Sequence, residues 1–150
     1  MFSSPGDALK IAAQPLREEF DRNSELRNVL LLYTQSFIAQ ISQNTACNRL
    51  HDLDRRCARW LLEVRDRVER DEFWLTHEFI AEMLGSNRSS VSLATGRLKD
   101  QGVIDYNRGD IRIKDVTALE ARSCECRDVL CGEYDRLLGS LPVNRYAKAA

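Results

Sequence analysis

Two groups of residues in this 150-residue sequence have the types and spacing to do chemistry. The first lies in LGSNRSSVSLATGRL, residues 84–98, where Arg88, Ser89, Ser90 and Ser92 crowd the start of a helical pattern. A guanidinium offers a planar bidentate donor and the hydroxyls add single donors and acceptors, a set that suits base edges and phosphate oxygens. Over residues 86–99, Arg88, Arg97 and Lys99 occur with no acid, a small basic patch in a chain of net charge −1. The second group is Cys124-x-Cys126-x4-Cys131, with Cys47, Cys57, His51 and His77 elsewhere. Thiols and imidazoles are the material of metal and redox sites.

Geometry within one helix argues against the second group. On a continuous helix Cys124 and Cys126 stand about 200° apart around the axis. Cys124 and Cys131 share a face but lie roughly 10 Å apart along it, beyond disulfide reach. Cys126 falls on a stripe with Leu119, Leu130 and Tyr134 and reads as a small core residue. Cys47 and Cys57 have no partner at ligand spacing, and His51 and His77 read as isolated surface or hinge residues. The expectation is no metal, no cofactor and, with no acid–base or nucleophile pairing, no enzyme.

Composition narrows the setting. An apolar content of 43%, with Val29–Tyr33 as the longest unbroken apolar run, supports a packed core and excludes a bilayer span. The N-terminus lacks a cationic patch ahead of an apolar block, so no secretory signal is expected. Five irregularly spaced cysteines do not form a secreted disulfide framework. A reducing cytoplasm and no membrane partner are expected.

The elements that must position these residues follow from periodicity. Residues 1–23 hold a strand-like Leu9–Ile11 and a short helix with Pro15 in its first turn, like the end of a domain. From Ser24, a plausible N-cap, to about Gln43 runs a long helix with Leu26, Leu30, Tyr33, Phe37 and Ile41 on one stripe, widened by Val29, Leu31, Leu32 and Ile38. The only comparable helix in the chain is Leu53 to Val68, so the stripe predicts a two-fold contact with a second copy. Asn44 to Asp52 is polar and reads as a hinge. Leu53, Cys57, Trp60, Leu61, Val64 and Val68 mark the second helix, which ends in RVERDE. Thr76 can cap a helix through Leu84, and another runs from about Asn87 to Gln101, closed by Gly102. Val103–Tyr106 and Ile111–Ile113 flank Asn107-Arg108-Gly109-Asp110 as a hairpin. A last helix opens on the Thr117–Glu120 capping box and continues to about Leu138.

Two short helices, a tight turn and a hairpin make a winged helix-turn-helix. Ala81 is the small residue between the helices, Gly85 the turn position, and Ile80, Leu84, Val91, Ala94 and Leu98 the packing contacts. The fold class expected is mainly α with a small β-hairpin wing: a long dimerisation helix followed by a winged helix-turn-helix DNA-binding domain. Arg88, Ser89, Ser92 and Leu93 form the outer face of the second helix, whose first turn enters the major groove in this docking mode. Arg88 suits guanine O6 and N7, and Leu93 a thymine methyl. Ser90, Thr76, Arg97 and the wing's Arg108 suit phosphates.

The stretch LTHEFIAEMLGSNRSSVSLATGRLKDQGVIDYNRGDIRIKD resembles the DNA-binding domain of the Crp–Fnr family of bacterial transcription regulators. Arg56–Leu62 (RCARWLL) is similar to the helix that begins that domain, and Leu119-Glu120 with CEC (Cys124–Cys126) to the tail of many members. The resemblance covers roughly residues 9 to 138. It implies a homodimer on an inverted-repeat operator in double-stranded DNA, with RNA polymerase as a further partner. It divides the chain into residues 1–23, the remnant of a sensor barrel's end, 24–48, the dimerisation helix, and 49–150, the DNA-binding domain with its C-terminal helix. The family's best-known readers carry glutamate and arginine where Ser89 and Leu93 stand, so a different half-site is implied. Ile41-Ser42 replaces the threonine–serine pair of cyclic-AMP-binding members and lends no support to that response. Two other readings stand beside this one: a winged-helix protein-interaction module, and a thiol- or metal-responsive regulator using the C-terminal cysteines.

Overall fold

A computed structural model describes residues 9–139. The expected segments 1–23 and 49–150 extend at their outer ends beyond the described residues. Seven helices and three short strands follow in the order α1 (Ala13–Arg22), α2 (Ser24–Leu50), α3 (Leu53–Val68), β1 (Glu72–Trp74), α4 (His77–Leu84), α5 (Arg88–Asp100), β2 (Ile104–Asn107), β3 (Asp110–Ile113), α6 (Val116–Arg122) and α7 (Cys126–Leu138).

Leu9–Ile11 is irregular rather than a strand. The cap of α2 is Asn23, one residue before the expected Ser24, with its Oδ1 accepting from the amides of Glu25 (3.1 Å) and Leu26 (3.0 Å). The segment read as a hinge is mostly helical: α2 continues to Leu50 and yields only at His51 and Asp52. Burial of Cys47 accounts for this, because one face of that polar stretch is covered by α7. Asp52 then caps α3 by accepting from the Arg55 amide at 2.9 Å.

The intramolecular partner of α2 is α7, not α3. Tyr134 Oη donates to Gln40 Oε1 at 3.0 Å across that contact. Much of the apolar stripe on α2 is uncovered: Tyr33, Phe37 and Ile41 are each about half exposed, as are Leu31 and Ile38. Tyr33 and Phe37 stack with centroids 6.5 Å apart, while Leu26 and Leu30 are half-buried.

The main core joins α3 to the helix-turn-helix, with Leu61, Leu62, Ile80, Val91, Val103, Ile104, Ile111 and Leu119 essentially without solvent contact. Helix α3 is buried almost all round, and its Arg59 and Glu63 form a buried ion pair. The RVERDE stretch does more than end that helix. Glu69 turns the chain in the left-handed region (φ 55°), and Glu72–Trp74 becomes β1, an edge strand the alternation did not reveal. It pairs antiparallel with β3, giving the sheet order β1-β3-β2 with Phe73 opposite Ile111 and Tyr106 opposite Ile111 on the other side.

The last expected helix is two. Asp115, not the Thr117 capping box, caps α6 by accepting from the Ala118 amide at 2.8 Å. Helix α6 stops at Arg122, and Ser123–Glu125 turns the chain before α7 begins at Cys126.

Candidate nucleic-acid interface

The turn between α4 and α5 is built as its sequence requires. The Thr76 hydroxyl accepts from the Phe79 amide (3.2 Å) to start α4, and Gly85 ends it in the left-handed region (φ 58°), where a side chain would be strained. Ala81, buried beneath, accepts the Ser86 amide at 2.9 Å. Asn87 then caps α5, its Oδ1 taking the Ser90 amide (2.8 Å) and the Ser89 hydroxyl (2.6 Å). Val91, Ala94, Thr95 and Leu98 are buried, which leaves Arg88, Ser89, Ser92 and Leu93 exposed on the opposite side of the same helix. Leu93 is 63% exposed. The outer face expected from the sequence is therefore brought together.

The wing lies beside it. Arg108 and Gly109 form a two-residue turn with φ of 49° and 102°, both positive, as a tight hairpin of this kind needs. Gly109 is also fixed by contact, since a Cβ there would lie 2.6 Å from Trp74 Nε1. Arg108 sits exposed at the tip.

Folding changes the basic patch. Each cation of the acid-free window 86–99 meets an acid in space: Arg88 pairs with Glu78 (2.8 Å), Arg97 with Asp54 on α3, and Lys99 with Asp105 (3.0 Å). Arg97 is held by a fork of two hydrogen bonds, Nε to Asp54 Oδ2 at 2.6 Å among them, and lies at the flank where α5 meets α3. Among the described residues Arg108 makes no such pair.

His77 is not an isolated surface residue. Its ring stacks on Tyr106 of the wing (centroids 4.0 Å, 11° between planes) and its Nε2 meets the Thr95 hydroxyl at 2.9 Å. The same hydroxyl lies 3.0 Å from the Val91 carbonyl oxygen and 3.2 Å from that of Ser92. Burial first, then the nearby Arg88 charge, lowers the His77 pKa. His77, Glu78, Tyr106 and Trp74 tie helix, turn and wing together; none carries a local sequence signal for this.

The reading of Cys47 and His51 as residues without partners at ligand spacing is corrected by the fold. Cys47, His51, Cys124 and Cys126 converge, with one ligand atom of each within 4.8 Å of the others. The premise of a single helix through Cys124 and Cys126 does not hold: Cys124 lies in the turn between α6 and α7 and swings toward α2. Cys47 Sγ and Cys124 Sγ are 3.5 Å apart, and Cys126 Sγ is 3.6 Å from His51 Nδ1. Burial pushes both Cys47 and Cys124 thiols up, Cys124 to about 12. Cys57 stands apart in the main core, and Cys131 is half-buried on α7, outside the cluster.

Residues 55–122 match the profile of the Crp-like helix-turn-helix domain, the span from α3 through α6 just described. That span is a Crp-like helix-turn-helix domain. A structure described as a Crp/Fnr-family transcriptional regulator from Eubacterium rectale is 25% identical, with a TM-score of 0.61 over 75% of this chain and 52% of that one. The Thermus thermophilus catabolite activator protein is 21% identical over 78% of this chain and 50% of that one, with a TM-score of 0.42, too loose a likeness to build on. The chain thus spans about half the length of these structures. No curated protein matches it. No helix among the described residues is long and apolar enough to cross a membrane.

Proposed function

We propose that the chain is a sequence-specific DNA-binding transcription regulator that acts as a homodimer on an inverted-repeat operator. The observation that carries this is the exposed first turn of α5, with Arg88, Ser89, Ser92 and Leu93 presented beside a wing in a Crp-like domain. Arg88 exchanges Glu78 for guanine O6 and N7 in the major groove. Ser89 and Ser92 meet neighbouring base edges, Leu93 a thymine methyl, and Ser90, Thr76 and Arg108 the phosphates on either side. Arg97, engaged by Asp54, positions α5 on α3 rather than neutralising a phosphate.

The uncovered stripe on α2 supports the dimer. Tyr33, Phe37 and Ile41, flanked by Leu26 and Leu30, form the face that a second α2 would cover. Two recognition helices related by that two-fold axis would read half-sites about one DNA turn, roughly 34–36 Å, apart. RNA polymerase is a further partner in this scheme, and the setting is the bacterial cytoplasm.

One observation favours a protein-interaction module instead: every cation on α5 has an acidic partner, while Leu93 is bare. Binding of random inverted-repeat DNA, selected over successive rounds and repeated across salt concentrations, separates the two. Enrichment of one palindrome by wild type and its loss by Arg88→Ala is the expected result. Equal, weak binding of all sequences by both proteins would sink the operator reading.

A further inference from the structure

We propose that Cys47, His51, Cys124 and Cys126 hold a single zinc ion within one chain, clamping the end of α2 to the turn between α6 and α7. The distances fit one four-coordinate ion. Zinc–sulfur bonds of about 2.3 Å in a tetrahedron place sulfurs about 3.8 Å apart, and a histidine nitrogen at about 2.05 Å lies about 3.6 Å from a sulfur. The cluster shows 3.5 Å for Cys47–Cys124 and 3.6 Å for Cys126–His51. An iron–sulfur cluster spreads its ligands over two or more metal atoms and needs wider gaps than the 4.8 Å limit here. A Cys47–Cys124 disulfide would account for two of the four residues and leave Cys126 and His51 without a reason to converge.

The surroundings are those of a ligand set. His51 Nδ1 faces the cluster while Nε2 meets Glu125 Oε1 at 3.1 Å, the carboxylate–imidazole arrangement that fixes which nitrogen binds metal. Gln43 Nε2 donates to Cys126 Sγ at 3.1 Å, a bond that steadies a thiolate. Three thiolates and zinc carry one net negative charge. The buried Arg59 guanidinium acts on both Cys47 and Cys124, and its Nε has no hydrogen-bond partner. Binding releases the three thiol protons and leaves His51 neutral. With all four positions filled by buried or half-buried side chains, no open coordination site is left for substrate, so the ion is structural.

Its place gives it leverage. Cys47 and His51 end α2 two residues before α3 begins, and Cys124 and Cys126 bracket the start of α7. The ion would set the angle at which the long helix enters the helix-turn-helix domain. This does not rest on the DNA-binding reading, because metal content is measured without DNA.

The test is metal analysis of the full chain purified from zinc-replete culture, followed by cobalt(II) titration of reduced, chelator-stripped wild type. One zinc per chain is expected, with cobalt uptake saturating at one equivalent and giving the strong visible absorption of tetrahedral cobalt–thiolate. Cys124→Ser and His51→Ala should lose that signature, Cys57→Ser and Cys131→Ser should keep it, and Glu125→Gln should weaken affinity roughly 10- to 100-fold. Reduced wild type that takes up no cobalt overturns the proposal, as does uptake without tetrahedral bands. Iron with acid-labile sulfide, or a Cys47–Cys124 disulfide in metal-free active protein, overturns it too. The wild-type titration decides the matter even should the variants fail to fold.

Discussion

The outer face of α5 and the Cys47–His51–Cys124–Cys126 cluster are opposites in construction. The first comes from one continuous stretch of six residues, Arg88–Leu93, and its outward side chains are exposed. The second draws residues from positions 47 to 126, is largely buried, and is satisfied within the chain. A surface meant for a partner can be encoded locally, because one helix and its cap suffice to present it. A closed cluster requires the tertiary fold first, so its residues carry no pattern until α2 and α7 meet.

That contrast can be broken most forcefully by removing metal. Free zinc at a hundredfold its dissociation constant adds about 2.7 kcal/mol of stability, so chelation should lower Tm by roughly 5–10 °C, read by calorimetry. DNA specificity measured below the transition should keep its pattern. An unchanged Tm would show that the cluster contributes no metal-linked stability.

Next in size is Arg88→Ala. Loss of a bidentate guanine contact should cost about 1–3 kcal/mol of specific affinity and relax preference at one position of each half-site. Tm should hold, since both Arg88 and Glu78 are exposed. A large Tm loss with unchanged specificity would reverse the roles assigned to the two regions.

A smaller effect is expected at Arg97. As an exposed, solvent-screened pair with Asp54, its loss should change stability little and leave the salt dependence of DNA binding alone. A fall of about 0.9 in the logarithmic salt slope would instead make it a phosphate ligand. Smallest is a pH effect at His77. Its folded pKa lies below the usual value of about 6.5, so the stability it contributes is full above that value and is lost as pH falls through the folded pKa. His77→Gln should flatten that part of the pH–stability curve.

What the sequence made legible follows the same division. Thr76, Ala81, Gly85, Val91, Ala94, Leu98 and Gly102 each act within a few residues of themselves, and the helix-turn-helix and hairpin were readable from them. Strand β1 was not, because three residues beside charged RVERDE carry too little alternation, and β3 supplies their pairing. The break before α7 was hidden for a related reason: Glu125 makes no side-chain capping bond, so no capping residue announces a new helix. That one missing break turned Cys124 and Cys126 from neighbours into opposite faces. The acids that neutralise Arg88, Arg97 and Lys99 were equally invisible, since Glu78, Asp54 and Asp105 reach them through tertiary packing or across the turn.

Trp74, set over Gly109 beside the wing, has a practical consequence. The chain's two tryptophans sit in contrasting surroundings: Trp60 is 8% exposed in the core and Trp74 is 57% exposed. Emission from the first reports on the packed interior, while the second is open to quenching by iodide or by nearby stacked bases. Replacing Trp60 with phenylalanine would leave Trp74 as the single tryptophan, packed against Gly109 of the wing turn. Wing engagement could then be followed by light alone, with no attached dye.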